Sequence, residues 1–195
     1  MTLKVRLDGI TDGHFIDPHF CSCRSDGWGG VKPGGNHSPS ISWSGAPRET
    51  KSFALVVVDR DVPADFSPAN KVGLTIPSDA ERKAFYHWLL VHIPADVTAL
   101  GEGEMAGIAG RNSIREGKGN GRSEGTNGYD GPCPPFNDER VHTYHFTVYA
   151  LDVAALDLKP GFSGEAATLA IAGHILDQGE TTGKYTTNPH LHVAA

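Results

Sequence analysis

The strongest constraint on this chain is an apolar run, residues 52–58 (S-F-A-L-V-V-V), which ends in Asp59. A short continuous run so rich in valine is typical of a strand that is buried on both faces. Asp59 and Asp61 follow it and share one side of the extended chain. Carboxylates that leave a buried strand need partners, because burial of an unpaired charge is unfavourable. The run therefore predicts a central strand with a polar end, although Asp61 also fits a turn before Pro63.

Two further strands and one late helix complete the predicted architecture. Residues 87–93 (H-W-L-L-V-H-I) form a second apolar run. Residues 144–151 alternate, which predicts that the even-numbered side chains from 144 to 150 lie on one face. Residues 164–178 carry apolar side chains at helical spacing, which predicts a helix that stops at Gly179. Because helices do not separate the strong strands, a parallel βαβ series is excluded.

Shorter features extend this outline to a mostly β protein with long Gly/Pro-rich loops. Residues 5–10 and 41–43 predict two short strands, and residues 78–81 (S-D-A-E) fit a capping box that predicts one or two helical turns. Residues 101–131 are rich in glycine, and so long an irregular segment is usually functional or disordered. The chain has 24 glycines and 13 prolines, which also favours turns over helix.

The bulk composition predicts one domain over residues 1–195 and narrows the range of partners. The formal net charge is −6, and no dense Lys/Arg stripe is present, which argues against nucleic acid and against a non-specific hold on an anionic membrane. The first residues lack the apolar core of a signal peptide, and no apolar run is long enough to span a bilayer. Three cysteines are an odd number and predict no disulfide framework, so we expect a cytoplasmic protein.

Three polar features could carry chemistry. His142 and Tyr144 stand two apart at the start of a strand, so their side chains emerge on one face. His87 opens the other apolar strand, where it could also be a satisfied core residue. Residues 128–135 (G-Y-D-G-P-C-P-P) could present backbone N–H groups as an anion nest, or form a rigid turn without a ligand. Cys21 and Cys23 together with His19 could suggest a metal site, but this is disfavoured because C-x-C alone lacks the second ligand pair of a structural zinc site.

These pieces together resemble the phosphatidylethanolamine-binding protein family, in its bacterial Raf-kinase-inhibitor-like branch. The motifs occur in the family's order and cover about residues 30–180. They are residues 35–43, similar to G-x-N-x-S-P-x-L-x-W; 58–63, similar to D-P-D-A-P; 85–94, similar to H-W-L-V-x-N-I-P; 128–135, similar to G-Y-x-G-P-x-P-P; and 142–152, similar to H-R-Y-x-F-x-L-Y-A-L-D. Three positions depart from the pattern, namely Arg60, Asp130 and Thr143.

The resemblance implies a β-sandwich-like core around a small pocket that accepts phosphate-like anions and phospholipid headgroups. By motif position, the ligand-binding residues are Asp59, His87, Gly131, Pro134, His142 and Tyr144, with Asp61, Trp88 and Cys133 in support. Imidazolium N–H and phenol O–H groups would donate to anion oxygens. Asp59 would either orient an imidazole and favour its protonated form or accept from a headgroup ammonium. Backbone N–H groups near Gly131 would complete the cradle, and Cys133 is expected to be a small buried thiol.

Three functions are compatible with the sequence. The first is binding of a phosphate-bearing small molecule or headgroup, without a metal or other cofactor. The second is regulation of a kinase or protease through the loop at residues 101–128 and the pocket rim, as in some relatives. The third is a weak hydrolase that uses His87, His142 and Asp59. No G-x-S-x-G elbow or metal-ligand spacing supports hydrolysis, so we expect that the protein is not an enzyme.

Overall fold

The computed structural model describes residues 2–114 and 128–191 and is mostly β, as predicted. A six-stranded sheet in the order β2-β11-β10-β6-β7-β9 is covered on one side by a three-stranded sheet, β1-β5-β8, and β3 pairs with β4. The elements are β1 (Lys4–Leu7), β2 (His14–Phe15), β3 (Cys23–Ser25), β4 (Val31–Pro33), β5 (Ile41–Ser44), β6 (Ser52–Pro63), β7 (Arg82–Pro94), β8 (Ala99–Leu100), β9 (Ile108–Ala109), β10 (His142–Leu151), α1 (Gly164–Ala172) and β11 (Ile175–Tyr185).

Strand β6 lies in the middle of the large sheet and is buried on both faces, which confirms the prediction from residues 52–58. Phe53, Leu55 and Val57 belong to a core shared with the small sheet, where Trp43 of β5 meets Phe53 edge-to-face with 5.4 Å between ring centroids. The alternate residues of β6 face a second core, which contains the buried side of α1. Two apolar layers therefore hold this strand, and they fix where its polar end lies.

Strands β10 and β7 pair antiparallel with β6 on its two sides. The register sets Tyr144 of β10 opposite Asp59 of β6, so the polar beginning of one strand meets the polar end of the other. Tyr144, Phe146 and Val148 share one core, as the alternation predicted. Strand β7 starts at Arg82, five residues before His87, and this places a cation beside the end of β6.

Two helix predictions were wrong, the first at its C-terminal end and the second as a whole. Helix α1 ends at Ala172 with Gly173 as its cap, and the predicted segment from 175 to 178 begins strand β11 instead. The edge of β10 requires a partner, and β11 supplies it over most of its length. Gly179 lies in that strand, where an added Cβ would come within 2.5 Å of the Leu3 carbonyl oxygen. Residues 78–81 form a turn rather than helical turns, with the Ala80 N–H donating to the Pro77 carbonyl.

The cysteine predictions were also wrong, because Cys23 and Cys133 form a disulfide. The bond joins β3 to the 128–135 turn across a sequence separation of 110 residues, and Cys21 is left as a buried free thiol. The odd number of cysteines argued against a disulfide framework, but two of the three are bonded to each other and Cys21 accounts for the odd count. Within the described ranges, no helix is long and apolar enough to cross a membrane.

Reduction of the Cys23–Cys133 bond should destabilise the protein. A disulfide that closes so long a loop restricts the unfolded chain, so we expect its loss to lower the free energy of unfolding by about 2–4 kcal/mol. Urea denaturation with and without dithiothreitol measures this change. Cys21→Ala should keep the response to reductant, whereas the Cys23→Ala/Cys133→Ala variant should lose it. Equal stability of the wild type in both conditions would contradict the bond.

Candidate functional site

A small cleft opens where the polar ends of β6 and β10 meet the 128–135 turn. Its polar wall contains Ser22, Asp59, Asp130, His142 and Tyr144, and its apolar wall includes Phe66, Phe85 and Pro134. Its volume is about 40 Å³, which corresponds to room for about three water-sized groups. The cleft therefore suits a compact polar group rather than a large ligand.

His142 is fully buried between two carboxylates. Its Nδ1 lies 2.6 Å from Asp59 Oδ2, and its Nε2 lies 3.1 Å from Asp138 Oδ2. Burial opposes a charge on the ring, but the charge of Asp59 and the hydrogen bonds to both carboxylates outweigh it and raise the pKa of His142 to about 9. The ring is therefore an imidazolium at neutral pH, and both of its N–H groups donate to carboxylates.

Asp138 also binds Arg82, which adds a fourth charged group to His142 and its two carboxylates. The guanidinium makes two hydrogen bonds to the carboxylate, from Nη1 to Oδ2 at 2.6 Å and from Nη2 to Oδ1 at 3.1 Å. Burial raises the pKa of Asp138, but hydrogen bonds from His142 and Arg82 prevail and hold it below its ordinary value. Four charged groups, Arg82, Asp138, His142 and Asp59, thus alternate in sign through the interior, and we call them the buried charge chain.

The other hydrogen-bonding groups of Asp59 and Asp61 also have partners within the protein. Asp59 Oδ1 accepts from the Asp61 N–H at 2.7 Å. Asp61 Oδ2 accepts from the Thr143 N–H at 2.9 Å, and its Oδ1 lies 3.1 Å from Arg140 Nη1. Asp61 therefore supports the strand ends, as expected from the sequence. Because Asp59 is held in this way, its main role in the structure is to orient His142.

His87 is the predicted site residue whose ring retains an unpaired nitrogen. Its Nδ1 lies 2.6 Å from the Asp130 carbonyl oxygen and must donate to it, because a carbonyl only accepts. Its Nε2 is buried and has no hydrogen-bond partner in the part of the chain that the structure describes. Burial lowers the pKa of His87, although the charge of Asp59 acts against this shift. The ring is thus neutral, and its Nε2 carries a lone pair.

The ring of His87 lies between two residues of the cleft wall. Its centroid is 5.1 Å from that of Phe85 and 5.1 Å from that of Tyr144. Burial raises the pKa of Tyr144 well above its ordinary value, and the charge of Asp59 and a hydrogen bond with it add to the effect. The phenol therefore keeps its proton and donates to Asp59. Of the four pocket residues predicted from the motifs, His87 is the one with a buried side-chain nitrogen that has no partner among the described residues.

The remaining predicted residues occupy different places. Pro134 lines the cleft, and Cys133 does so as half of the disulfide, not as a thiol. Trp88 is buried beneath the site and contacts Tyr129 edge-to-face.

The N–H of Gly131 donates to Asn36 Oδ1 at 2.8 Å, so it cannot complete an anion cradle as we predicted. Glycine is required there because a Cβ would lie 2.1 Å from a carbonyl oxygen of the neighbouring segment.

Sequence reasoning missed Arg82, Asp138 and Ser22. No sequence motif links Arg82 to Asp138, because the two residues are 56 positions apart and meet only in the folded chain. Ser22 was noticed only within C-x-C, yet its Oγ is buried at the cleft and has no partner among the described residues. The signal that could have found Asp138 is its position four residues before His142, in the segment that leads into the strand.

Comparison with known proteins identifies the chain's relatives. The family model of the phosphatidylethanolamine-binding proteins matches residues 8–186. The chain belongs to this family. A UPF0098 protein of Methanothermobacter thermautotrophicus is 39% identical over 153 residues, which are 78% of this chain and 84% of that protein. The UPF0098 protein YbhB of Escherichia coli is 30% identical over 154 residues, again 78% and 84% of the two chains.

Solved structures of family members have the same fold. The crystal structure of Escherichia coli YbcL, described as a member of the mammalian PEBP family, superposes with a TM-score of 0.71 at 27% identity and covers 95% of this chain and 99% of that one. The PEBP homologue CT736 of Chlamydia trachomatis gives 0.68 at 28% identity, with coverage of 94% and 97%. The resemblance seen in the motifs is thereby confirmed for this PEBP-family chain.

The charge on His142 should make the stability of this family member depend on pH. Because the pKa in the fold is about 9 and the ordinary value is 6.5, the contribution is fully present below about pH 6.5 and is lost as the pH rises through about 9. We expect the difference in unfolding free energy between wild type and His142→Gln to shrink by on the order of 3 kcal/mol across this window.

Urea denaturation of both proteins at pH 6.5, 7.5 and 9.5 measures that difference. His174→Gln is the matched control, since His174 makes an exposed ion pair with Asp152 and such pairs contribute little. A wild-type-minus-variant difference that stays constant over the range would show that His142 is not charged in the fold.

Proposed function

We propose that the cleft binds a small phosphate-bearing ligand, such as a phospholipid headgroup. The observation that carries this proposal is that two buried polar atoms, Ser22 Oγ and His87 Nε2, have no partner within the described residues. Ser22 lines the cleft, and the ring of His87 packs against two residues that line it, Phe85 and Tyr144. Buried polar groups are almost always hydrogen-bonded, so atoms of this kind at a cleft call for a ligand. The family match supports a ligand-binding role in general.

The chemistry of the two atoms suits an oxyanion. The Ser22 hydroxyl can donate to a phosphate oxygen directly. His87 can accept from a protonated phosphate, or it can take up a proton and donate to the anion as an imidazolium. The buried charge chain assists, because the imidazolium of His142 offsets the negative charge of Asp59 beside the bound anion.

Asp130 gives the ligand a preferred charge pattern. Asp130 lines the cleft, and a negative charge at this position would disfavour a simple anion but favour a cation next to the phosphate. A zwitterion such as phosphoethanolamine presents both charges, with its ammonium group available to a carboxylate. We therefore infer that the departure from the family pattern at this position selects zwitterionic headgroups over inorganic phosphate.

Binding without turnover is the form of activity that we infer. Of the residues in the hydrolase alternative, His142 has no lone pair with which to act as a base, because its ring keeps its proton and donates both N–H groups to carboxylates. The kinase or protease regulator stays a prediction, and much of its proposed loop, residues 115–127, lies outside the described residues. The cytoplasmic location also stays a prediction, and the Cys23–Cys133 bond is a reason to test it, since disulfides are rare there.

Calorimetric titration with phosphoethanolamine, inorganic phosphate and a short-chain phosphatidylethanolamine tests the proposal. We expect phosphoethanolamine to bind more tightly than phosphate, and Asp130→Asn to reduce that preference. Ser22→Ala and His87→Asn should each weaken binding by about tenfold, because a hydrogen bond to a charged group contributes about 1.5–3 kcal/mol. Asparagine at position 87 can keep a donor for the Asp130 carbonyl while removing Nε2. Ser44→Ala, on an exposed position of β5, is the control and should leave affinity unchanged.

Sulfate separates titration of the protein from titration of the ligand, since its charge does not change between pH 6 and pH 8. Burial keeps His87 neutral in the free protein, so sulfate binding requires proton uptake. Affinity should therefore rise as the pH falls, by up to about tenfold per pH unit. A folded protein that binds none of these ligands, or binds them equally well after Ser22→Ala and His87→Asn, would refute the headgroup proposal.

A further inference from the structure

Outside the cleft wall, two histidines and one glutamate converge at the surface. His19 Nε2 lies 3.0 Å from Glu102 Oε2, and His37 Nδ1 lies 3.0 Å from Glu102 Oε1. The imidazole rings of His19 and His37 are stacked, with 4.4 Å between their centroids and 5° between their planes. One potential ligand atom from each of the three residues lies within 4.8 Å of the other two.

Backbone contacts hold the three side chains in this arrangement. The His37 N–H donates to the His19 carbonyl oxygen at 3.2 Å, which ties the two histidine-bearing segments together. The segments approach closely at Gly35, where an added Cβ would lie 2.2 Å from the same carbonyl oxygen. On the other side, the Gly103 N–H donates to Ser38 Oγ at 3.0 Å, which fixes the turn that carries Glu102.

We propose that His19, His37 and Glu102 form a binding site for a divalent transition-metal cation of the Zn²⁺ class. Two imidazole nitrogens and one carboxylate oxygen are a ligand set that zinc sites use, with a fourth position left for water. Zinc binds such atoms at about 2.0–2.2 Å, so tetrahedral ligands stand somewhat over 3 Å apart. Because the two rings are stacked and nearly parallel, at least one of them must turn about its side-chain bonds to point its nitrogen at the same ion. Both histidines bind as neutral rings and the glutamate as an anion.

A salt-bridge cluster without a metal explains the arrangement less well. Exposed ion pairs contribute little to stability, so they give little reason to place two stacked histidines on one carboxylate. The other exposed histidine–carboxylate pairs among the described residues, His145 with Glu180 and His174 with Asp152, each contain one histidine. Each of these pairs offers the same kinds of ligand atom as the proposed site but lacks its second histidine.

The ligands of this site do not form a local sequence motif. Its ligands come from three separate segments, and His19 and Glu102 are 83 residues apart in the chain. A bound cation would join the segment before β3, the segment before β5 and the turn after β8. The residue next to His37 is Asn36, whose Oδ1 accepts from the Gly131 N–H beside the cleft, so the cation would also brace that turn.

Calorimetric titration of the tag-free protein with ZnCl₂ at pH 7.5 tests the site. We expect one Zn²⁺ per chain in the wild type, and an increase in Tm with added zinc because the cation binds the folded state. His19→Ala, His37→Ala and Glu102→Gln should each weaken binding by at least about tenfold, since even changes outside the ligand shell weaken metal affinity about 10–100-fold. Titration with Co²⁺ should give the visible absorption of a bound ion in the wild type and not in the three ligand variants.

His174→Ala and His190→Ala are the control variants, and both should bind Zn²⁺ as the wild type does. The ligand side chains are exposed, so the three ligand variants should fold, and their Tm without zinc provides the check. A wild type that binds no zinc would overturn the proposal. It would also be overturned by zinc binding that survives all three ligand variants, or that is lost in His174→Ala or His190→Ala. Neither result depends on whether the cleft binds a headgroup.

Discussion

The buried charge chain of Arg82, Asp138, His142 and Asp59 is the interaction on which the site depends. It joins the start of β7, the segment before β10, the start of β10 and the end of β6. Removal of one partner from such a set leaves an uncompensated buried charge, which costs about 3–5 kcal/mol. The chain therefore fixes the relative positions of three strand ends, and the wall of the cleft follows from that geometry.

Because of the charge chain, the two histidines of the site have different roles. His142 is charged at neutral pH and both of its nitrogens have partners, so it sets the electrostatic background of the cleft without contacting a ligand through its nitrogens. His87 is neutral, and its Nε2 has no partner in the described part of the chain, which makes it the group that responds to a ligand and to pH. The two apolar layers around β6 keep both rings in place, because closely packed cores shift little.

Local sequence patterns were enough to predict the elements that are buried on clear faces. Residues 52–58 are apolar throughout, and β10 alternates, so burial leaves little choice of structure. The end of the late helix could not be predicted, because it is set by the need of β10 for a partner strand. Motif position found His142 but assigned it ligand binding, since Asp138 and Arg82 come from segments without a motif. The unpaired hydroxyl of Ser22 and the disulfide likewise appear only when distant segments meet.

The most direct test of this account is ¹⁵N NMR of the two imidazole rings at pH 7.5, with and without phosphoethanolamine. The account predicts that both nitrogens of His142 are protonated and keep their shifts when ligand is added. It predicts that His87 is neutral with its proton on Nδ1, and that its Nε2 resonance moves on binding. A neutral His142, or a ligand that shifts His142 and leaves His87 unchanged, would contradict the assignment of roles in the site.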